Sequence, residues 1–281
     1  MSRELFAFAA IFVAGAAACG TSAQSPVTVP IELVNNFPVL KVSIGERSVA
    51  VMFDLGGSDE IVLTTDALRS LRVERLAETY AWLDAMGNRL ESQKLRVPEI
   101  RIGSLTFHGV KGHEDAESAT YRKTPGGEGY IGPALIRSYK LVVDYGRRSM
   151  TFIPNDIKNP EAFGCSGTEI RFDPDMGGEP ITKVSSDLGD HRFVWDTGAP
   201  AMIVRKGLVA ERGAATDGNL YVSSKFKIGS EDFGPMRLHM FDFGEPAEVS
   251  GYIGYDFFAA NVVCIDMSGK RFLVHPNRDD L

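Results

Sequence analysis

Short apolar runs alternating with polar residues fill the sequence, and glycine or asparagine breaks them every few positions. From Val39 to Asp54 the chain reads VLKVSIGERSVAVMFD, two alternating runs hinged at a glycine. That period of two is the signature of half-buried strands joined as a hairpin. TYAWLDAMGNRLESQKL, from Thr79 to Leu95, predicts a second hairpin with Gly87 and Asn88 at its tip. RIGSLTFHGVKGH, from Arg101 to His113, predicts a further strand pair. Helix is expected only in short pieces: PALIRSYK from Pro133, YDFFAANV from Tyr255, and the stretch from Thr65 to Leu76. The expected fold class is all-β with short helices.

The same series is written twice. Lys41-Val42-Ser43 returns as Lys183-Val184-Ser185, and Asp54 as Asp196, both 142 positions later. RIGSLTFHG is answered by KIGSEDFG at an offset of 126. GYIG at 129–132 returns letter for letter at 251–254, an offset of 122 that Asp144 and Asp266 keep. Gly218-Asn219 is the counterpart of the tip Gly87-Asn88. Matches in one order at so long a period predict two similar lobes, not a solenoid. The polar, turn-rich NDIKNPEAFGCSG from Asn155 separates them, which gives lobes at 24–157 and 158–281.

Ahead of the lobes, Arg3 precedes the apolar run LFAFAAIFVAGAAA, too short to span a membrane comfortably. It predicts a secretory signal within residues 1–23. Two endings stay open. Ala16-Ala17-Ala18-Cys19 resembles a lipobox, which would make Cys19 the lipidated first residue; Thr21-Ser22-Ala23 suits an ordinary signal peptidase. Either ending exports the mature protein, to the periplasm or cell envelope. In an oxidising compartment Cys165 and Cys264 can pair; otherwise Cys264, inside NVVCIDM, is a small buried hydrophobe. A net charge of −7 without a basic run argues against a nucleic-acid partner. The five histidines lack metal-site spacing, so no metal or other cofactor is expected. His113-Glu114-Asp115 is expected in a solvated loop, and the glycine run at 125–129 lacks the Lys-Ser/Thr of a phosphate loop.

The repeat gives its two aspartates the same surroundings. VMFDLGGS at 51–58 and FVWDTGAP at 193–200 each drive an apolar strand into an aspartate and then a turn of small residues. Burying a carboxylate is costly unless backbone N–H groups or a second carboxyl group share its charge. Small residues after the aspartate supply those N–H groups and allow close approach. An approximate twofold axis would set Asp54 and Asp196 face to face, holding one proton between them. The ionised member can then take a proton from water, and the protonated member can hydrogen-bond a carbonyl under attack.

Asp196-Thr197-Gly198-Ala199 behind an apolar run, with Tyr130-Ile131-Gly132 and Tyr252-Ile253-Gly254 following in each half, resembles the retropepsin-like and pepsin-like aspartic proteases. The likeness runs over roughly residues 28–277 and is nearest to bacterial two-lobed tandem forms. It implies a two-lobed pepsin/retropepsin-like fold with Asp54 and Asp196 as the catalytic pair. Leu55, Gly56, Thr197 and Gly198 would shape the active-site loops, supported by Gly132 and Gly254. Tyr80, Trp82, Gly87, Asn88, Gly218 and Asn219 would belong to flaps or cleft. The implied activity is that of an aspartic-type endopeptidase on a peptide or protein substrate, with no metal, no covalent intermediate and no need of a homodimer.

The first lobe departs from the family pattern, reading Asp54-Leu55-Gly56-Gly57 where Asp-Thr-Gly-Ser is usual. Thr197 can still donate across the lobe interface and Leu55 cannot; if Thr197 then lacks its usual partner, the net loss is about 1 kcal/mol. The alternative is an inactive protein of the same fold that binds extended peptides in the cell envelope by strand addition.

Overall fold

The computed structural model of the protein describes residues 25–83, 89–115, 127–174, 178–244 and 248–277. Residues 1–24 with Cys19, the Trp82 side chain, Gly87 and Asn88 lie outside them. The molecule is mostly β and two-lobed. An eight-stranded sheet is built from the first half and a nine-stranded sheet from the second. A six-stranded sheet draws Val27–Pro30, Tyr139–Asp144 and Ser149–Pro154 from the first half and Thr168–Arg171, Asn261–Asp266 and Arg271–Pro276 from the second.

The six-stranded sheet locates the twofold relation. Tyr139–Asp144 and Asn261–Asp266 pair antiparallel at its centre, and Val142 stands opposite Cys264, its own counterpart 122 residues on. A position paired with its own repeat mate lies on the pseudo-twofold axis. Asp144 and Asp266 close matching turns at the strand ends, accepting from Arg147 N–H at 2.9 Å and Gly269 N–H at 2.8 Å. Arg148 and Lys270, again 122 apart, both adopt φ of +51° in these turns.

Each half also threads its aspartate identically. Arg47–Phe53 lies parallel to Gly129–Ile131, with Phe53 opposite Ile131. Gly189–Trp195 lies parallel to Val249–Ile253, with Trp195 opposite Ile253. Phe53 and Trp195 are wholly buried at the strand ends. Trp195 stacks on Phe272 at 4.0 Å and donates its indole N–H to Thr182 Oγ1 at 3.1 Å, which fixes the strand that delivers Asp196. Such aromatic contacts add to the area they bury.

Three expectations are corrected. PALIRSYK forms tight turns, not a helix: Leu135 N–H bonds to Gly132 O, Ile136 N–H to Pro133 O and Tyr139 N–H to Ile136 O, all three residues back. Only its counterpart is helical, at Tyr255–Ala260. Six residues cannot gain from helix propagation, so local contacts decide. Helix after Thr65 is a single turn, Thr65–Leu68, capped by Thr64 Oγ1, because the sheet claims the chain again at Glu74–Leu83. His113-Glu114-Asp115 is not a solvated loop. All three are buried at the end of strand Leu105–Asp115, which runs parallel to Ile61–Thr64 inside the sheet. Arg75 pairs with Glu114 at 2.5 Å, and His113 Nδ1 lies 3.4 Å from Asp59 Oδ1.

Cys165 and Cys264 form a disulfide spanning 99 residues. It joins the segment between the lobes to the central strand of the six-stranded sheet, in an apolar cluster with Val142, Ile153 and Val262.

Candidate active site

Both aspartates sit at the start of the same local structure. Asp54 N–H donates to Ile131 O at 2.9 Å and Asp196 N–H to Ile253 O at 3.0 Å. Each chain then turns sharply: Gly57 N–H reaches Asp54 O at 3.3 Å, and Ala199 N–H reaches Asp196 O at 3.2 Å. The glycine at the third position of each turn aims its N–H at its own carboxylate, Gly56 to Asp54 Oδ1 at 3.0 Å and Gly198 to Asp196 Oδ1 at 2.7 Å.

These glycines also record how closely the loops approach. A Cβ on Gly56 would stand 2.6 Å from Asp196 Cγ, and one on Gly198 would stand 2.7 Å from Asp54 Oδ1. Each glycine therefore makes room for the opposite aspartate. Gly132 and Gly254 hold the loops from behind. A Cβ there would lie 2.3 Å from Asp59 O and 2.1 Å from Ala201 O, so only glycine lets the supporting strand reach the loop.

The interface between the loops shows that Thr197 keeps its partners. Its Oγ1 accepts from Leu55 N–H at 2.9 Å and donates to Phe53 O at 2.7 Å. The hydroxyl has both partners because they are backbone groups, and a change of side chain at Leu55 does not remove them. The loss falls on the other side: Leu55 can return no such pair of bonds to the backbone around Thr197. Its side chain is wholly buried and joins the main core instead.

Asp54 is buried and Asp196 remains partly open. Burial, then the neighbouring Asp196, pushes the Asp54 carboxyl well above the ordinary carboxylate range. Burial also raises Asp196, but the shared hydrogen bond with Asp54 and the N–H groups of Gly198, Gly56 and Ala199 oppose the rise. Both carboxyl groups are thus raised by burial, and in contact they favour holding one proton between them. The pair has the components of a general acid and a general base side by side.

Other named residues fall into place unevenly. Tyr80 packs against the His113 ring at 5.1 Å and lines a groove with Ser58, Asp59 and Lys111, on the hairpin Glu74–Leu83/Arg89–Ile102. Gly218 and Asn219 form a two-residue turn closed by one Asp217–Leu220 pair. The chain before Asp217 is not a strand, so the second half has no long hairpin to match the first. The strand that follows, Leu220–Ser223, pairs with Met236–Phe241 instead.

Two site residues, Tyr145 and Glu179, were not singled out in the sequence, and Tyr252 was named only within its Tyr-Ile-Gly motif. Tyr145 is buried with its hydroxyl unpaired among the described residues, and burial, then Asp196, raises its ionisation. Tyr252 is raised by burial first and then by Asp196 and Glu179. Glu179 in turn acts on Asp54. The repeat could have exposed Glu179, which stands 142 positions after Phe37. Tyr145 left no such signal, since its repeat mate is Met267.

No family model matches the sequence, and no curated protein matches it. Among solved structures the chain is similar to the crystal structure of an aspartic proteinase from Irpex lacteus, with a TM-score of 0.64 and 12% identity. The alignment covers 90% of this chain and 98% of that one. The fold is thus pepsin-like over nearly the whole length.

Proposed function

We propose that the protein is an aspartic-type endopeptidase with Asp54 and Asp196 as its catalytic pair. The observation that carries this reading is their approach across the pseudo-twofold axis, where the glycine of each loop lies against the opposite carboxyl group while its N–H donates to its own. Structural aspartates such as Asp144 and Asp266 cap turns singly. A pair that shares a proton in a pepsin-like fold is suited to hydrolysis.

In the cycle, Asp196 takes a proton from a water held between the carboxyl groups, and the oxygen attacks the peptide carbonyl. Asp54 donates its proton to the carbonyl oxygen, giving a neutral tetrahedral diol. Collapse of the diol breaks the C–N bond: Asp196 passes its proton to the leaving nitrogen while one diol hydroxyl gives its proton to Asp54, which restores the starting pair. Both aspartates come from one chain, so a homodimer is not needed. The disulfide fits an oxidising compartment, in keeping with export to the periplasm or envelope; lipidation at Cys19 belongs to the same proposal.

The second reading, a peptide-binding protein without chemistry, draws on Leu55, which leaves the loop interface bonded from one side only. Incubation with a diverse peptide mixture from acidic to neutral pH, read by mass spectrometry, separates the two. The protease reading expects new termini, with a bell-shaped pH profile bounded by the two pKa values of the pair. A folded protein that cuts nothing at any pH contradicts it.

A further inference from the structure

The two halves hold the exits of their aspartate turns with different elements. Ala201 and Met202 follow Asp196 as Asp59 and Glu60 follow Asp54, 142 positions apart. In the second half, Asp256 on the helix Tyr255–Ala260 accepts from Met202 N–H at 2.7 Å. The repeat mate of Asp256 is Ala134, whose methyl group can accept nothing. In the first half the acidic side chains lie on the turn itself and reach the strand Leu105–Asp115. Glu60 Oε2 accepts from Lys111 N–H at 2.6 Å, and Asp59 Oδ1 lies 3.4 Å from His113 Nδ1. That strand pairs with Arg89–Ile102, so the first turn is tied to the sheet that carries the long hairpin.

His113 is where this tie meets the hairpin. One side of its ring system faces Asp59, and the ring packs against Tyr80 of Glu74–Leu83 with centroids 5.1 Å apart. Its counterpart shows what the hairpin contributes. Val62 pairs with both Tyr130 and His113, and Ile203 with both Tyr252 and His239. Tyr130 and Tyr252 are repeat mates, so His113 and His239 hold the same place, 126 residues apart. His239 is exposed, in the half without a long hairpin, whereas His113 is only 1% exposed. A buried imidazole needs polar neighbours, and Asp59 supplies one. His113, Tyr80, Asp59 and Ser58 line one groove, and Ser58 stands four residues after Asp54. A peptide lying in that groove touches the hairpin and the turn together.

We propose that His113 is a positioning residue for Asp54: through it, a peptide held against the hairpin sets the Asp54 turn, while Asp256 sets the Asp196 turn in advance. The proposal rests on the reading of this cleft as peptide-binding. His113 acts through Asp59, whose carbonyl oxygen is the group that Gly132 must approach without a side chain. A shift of about 1 Å in a reacting group can cost about 10²-fold in rate, so a contact five residues from Asp54 is close enough to matter.

The test uses the full exported protein and one peptide that it selects from the diverse mixture. His113→Phe keeps a ring against Tyr80 and drops the nitrogen that faces Asp59; Asp59→Ala removes the other partner. Each should lower kcat about tenfold or more and change KM by less than about twofold, because a positioning contact acts on the transition state. The double variant should be no worse than the worse single one. His113→Asn, with an amide nitrogen near the place of Nδ1, should restore part of kcat. A second readout needs no turnover: hydrogen exchange in the Asp196→Asn background, where the peptide stays whole. The peptide should slow the amides of residues 55–60 and those of the hairpin, about tenfold; with His113→Phe added, only the hairpin should slow. Wild-type kcat in both variants, a rise in KM alone, or turn protection that survives His113→Phe overturns the proposal. Should His113→Phe fail to fold, Asp59→Ala decides by the same measures. Turn protection that needs His113, without any cleavage, would sink the protease and leave the positioning role standing, whereas cleavage untouched by either variant would do the reverse. A protein that selects no peptide overturns both.

Discussion

Thr197 Oγ1 serves two buried backbone groups of the opposite lobe, Leu55 N–H and Phe53 O. Replacing Thr197 by the near-isosteric valine strands both. Urea unfolding should show Thr197→Val destabilised by about 2–5 kcal/mol, since each orphaned buried group costs about 1–3 kcal/mol. A change under about 0.5 kcal/mol would mean that the loops are not tied in this way. The aspartates offer a second test that needs no activity. Asp54 has a raised folded-state pKa. Its contribution to stability is fully present below the unfolded value of about 3.9 and is lost as pH rises through the folded value. Asp54→Asn escapes that loss. Relative to wild type its stability should climb from about pH 4 upward, by at most about 1.4 kcal/mol per pH unit. Urea curves at stepped pH would show this, and a flat difference would refute it. Both aspartates were legible because each closes an apolar run in a repeated frame. The fate of Thr197 was not, because its partners are backbone groups and sequence shows only side chains.

The strand pairs built around these residues explain the repeated GYIG. Gly132 and Gly254 end strands that lie against the aspartate strands, and a methyl group on either would meet a loop carbonyl at 2.3 or 2.1 Å. Gly132→Ala and Gly254→Ala should each cost about 1–3 kcal/mol and shift the adjacent carboxylate, seen as a lower melting temperature. Unchanged melting in both would contradict the packing described. Glycine hinges and period-two runs made the hairpins readable from sequence. Helix lengths were not readable, because sheet pairing resumes at Glu74 and Tyr139 and cuts the candidate helices short. His113-Glu114-Asp115 misled for a related reason. Their polarity suggested solvent, but parallel pairing with Ile61–Thr64 and the Arg75–Glu114 contact carry them into the sheet.

Across the whole molecule, the falling offsets of 142, 126 and 122 made the two-lobed plan legible, and the pairing of Val142 with Cys264 shows where the repeats meet. The Cys165–Cys264 bond ties the connecting segment to that central sheet. A loop of 99 residues loses substantial unfolded-state entropy when closed, so Cys165→Ala with Cys264→Ala should cost about 2–4 kcal/mol in urea unfolding. Sequence could not decide this pairing, because the proximity of the sulfurs arises only when the sheet forms from both halves. Every level converges on the aspartate pair: strands deliver it, glycines make room for it and the central sheet aligns its halves. The most direct measurement is the turnover of one identified peptide by Asp54→Asn and Asp196→Asn, each shown folded by circular dichroism. Loss of kcat by about 10²–10⁴-fold in both is the expected result. Full activity in either variant would contradict a shared catalytic pair.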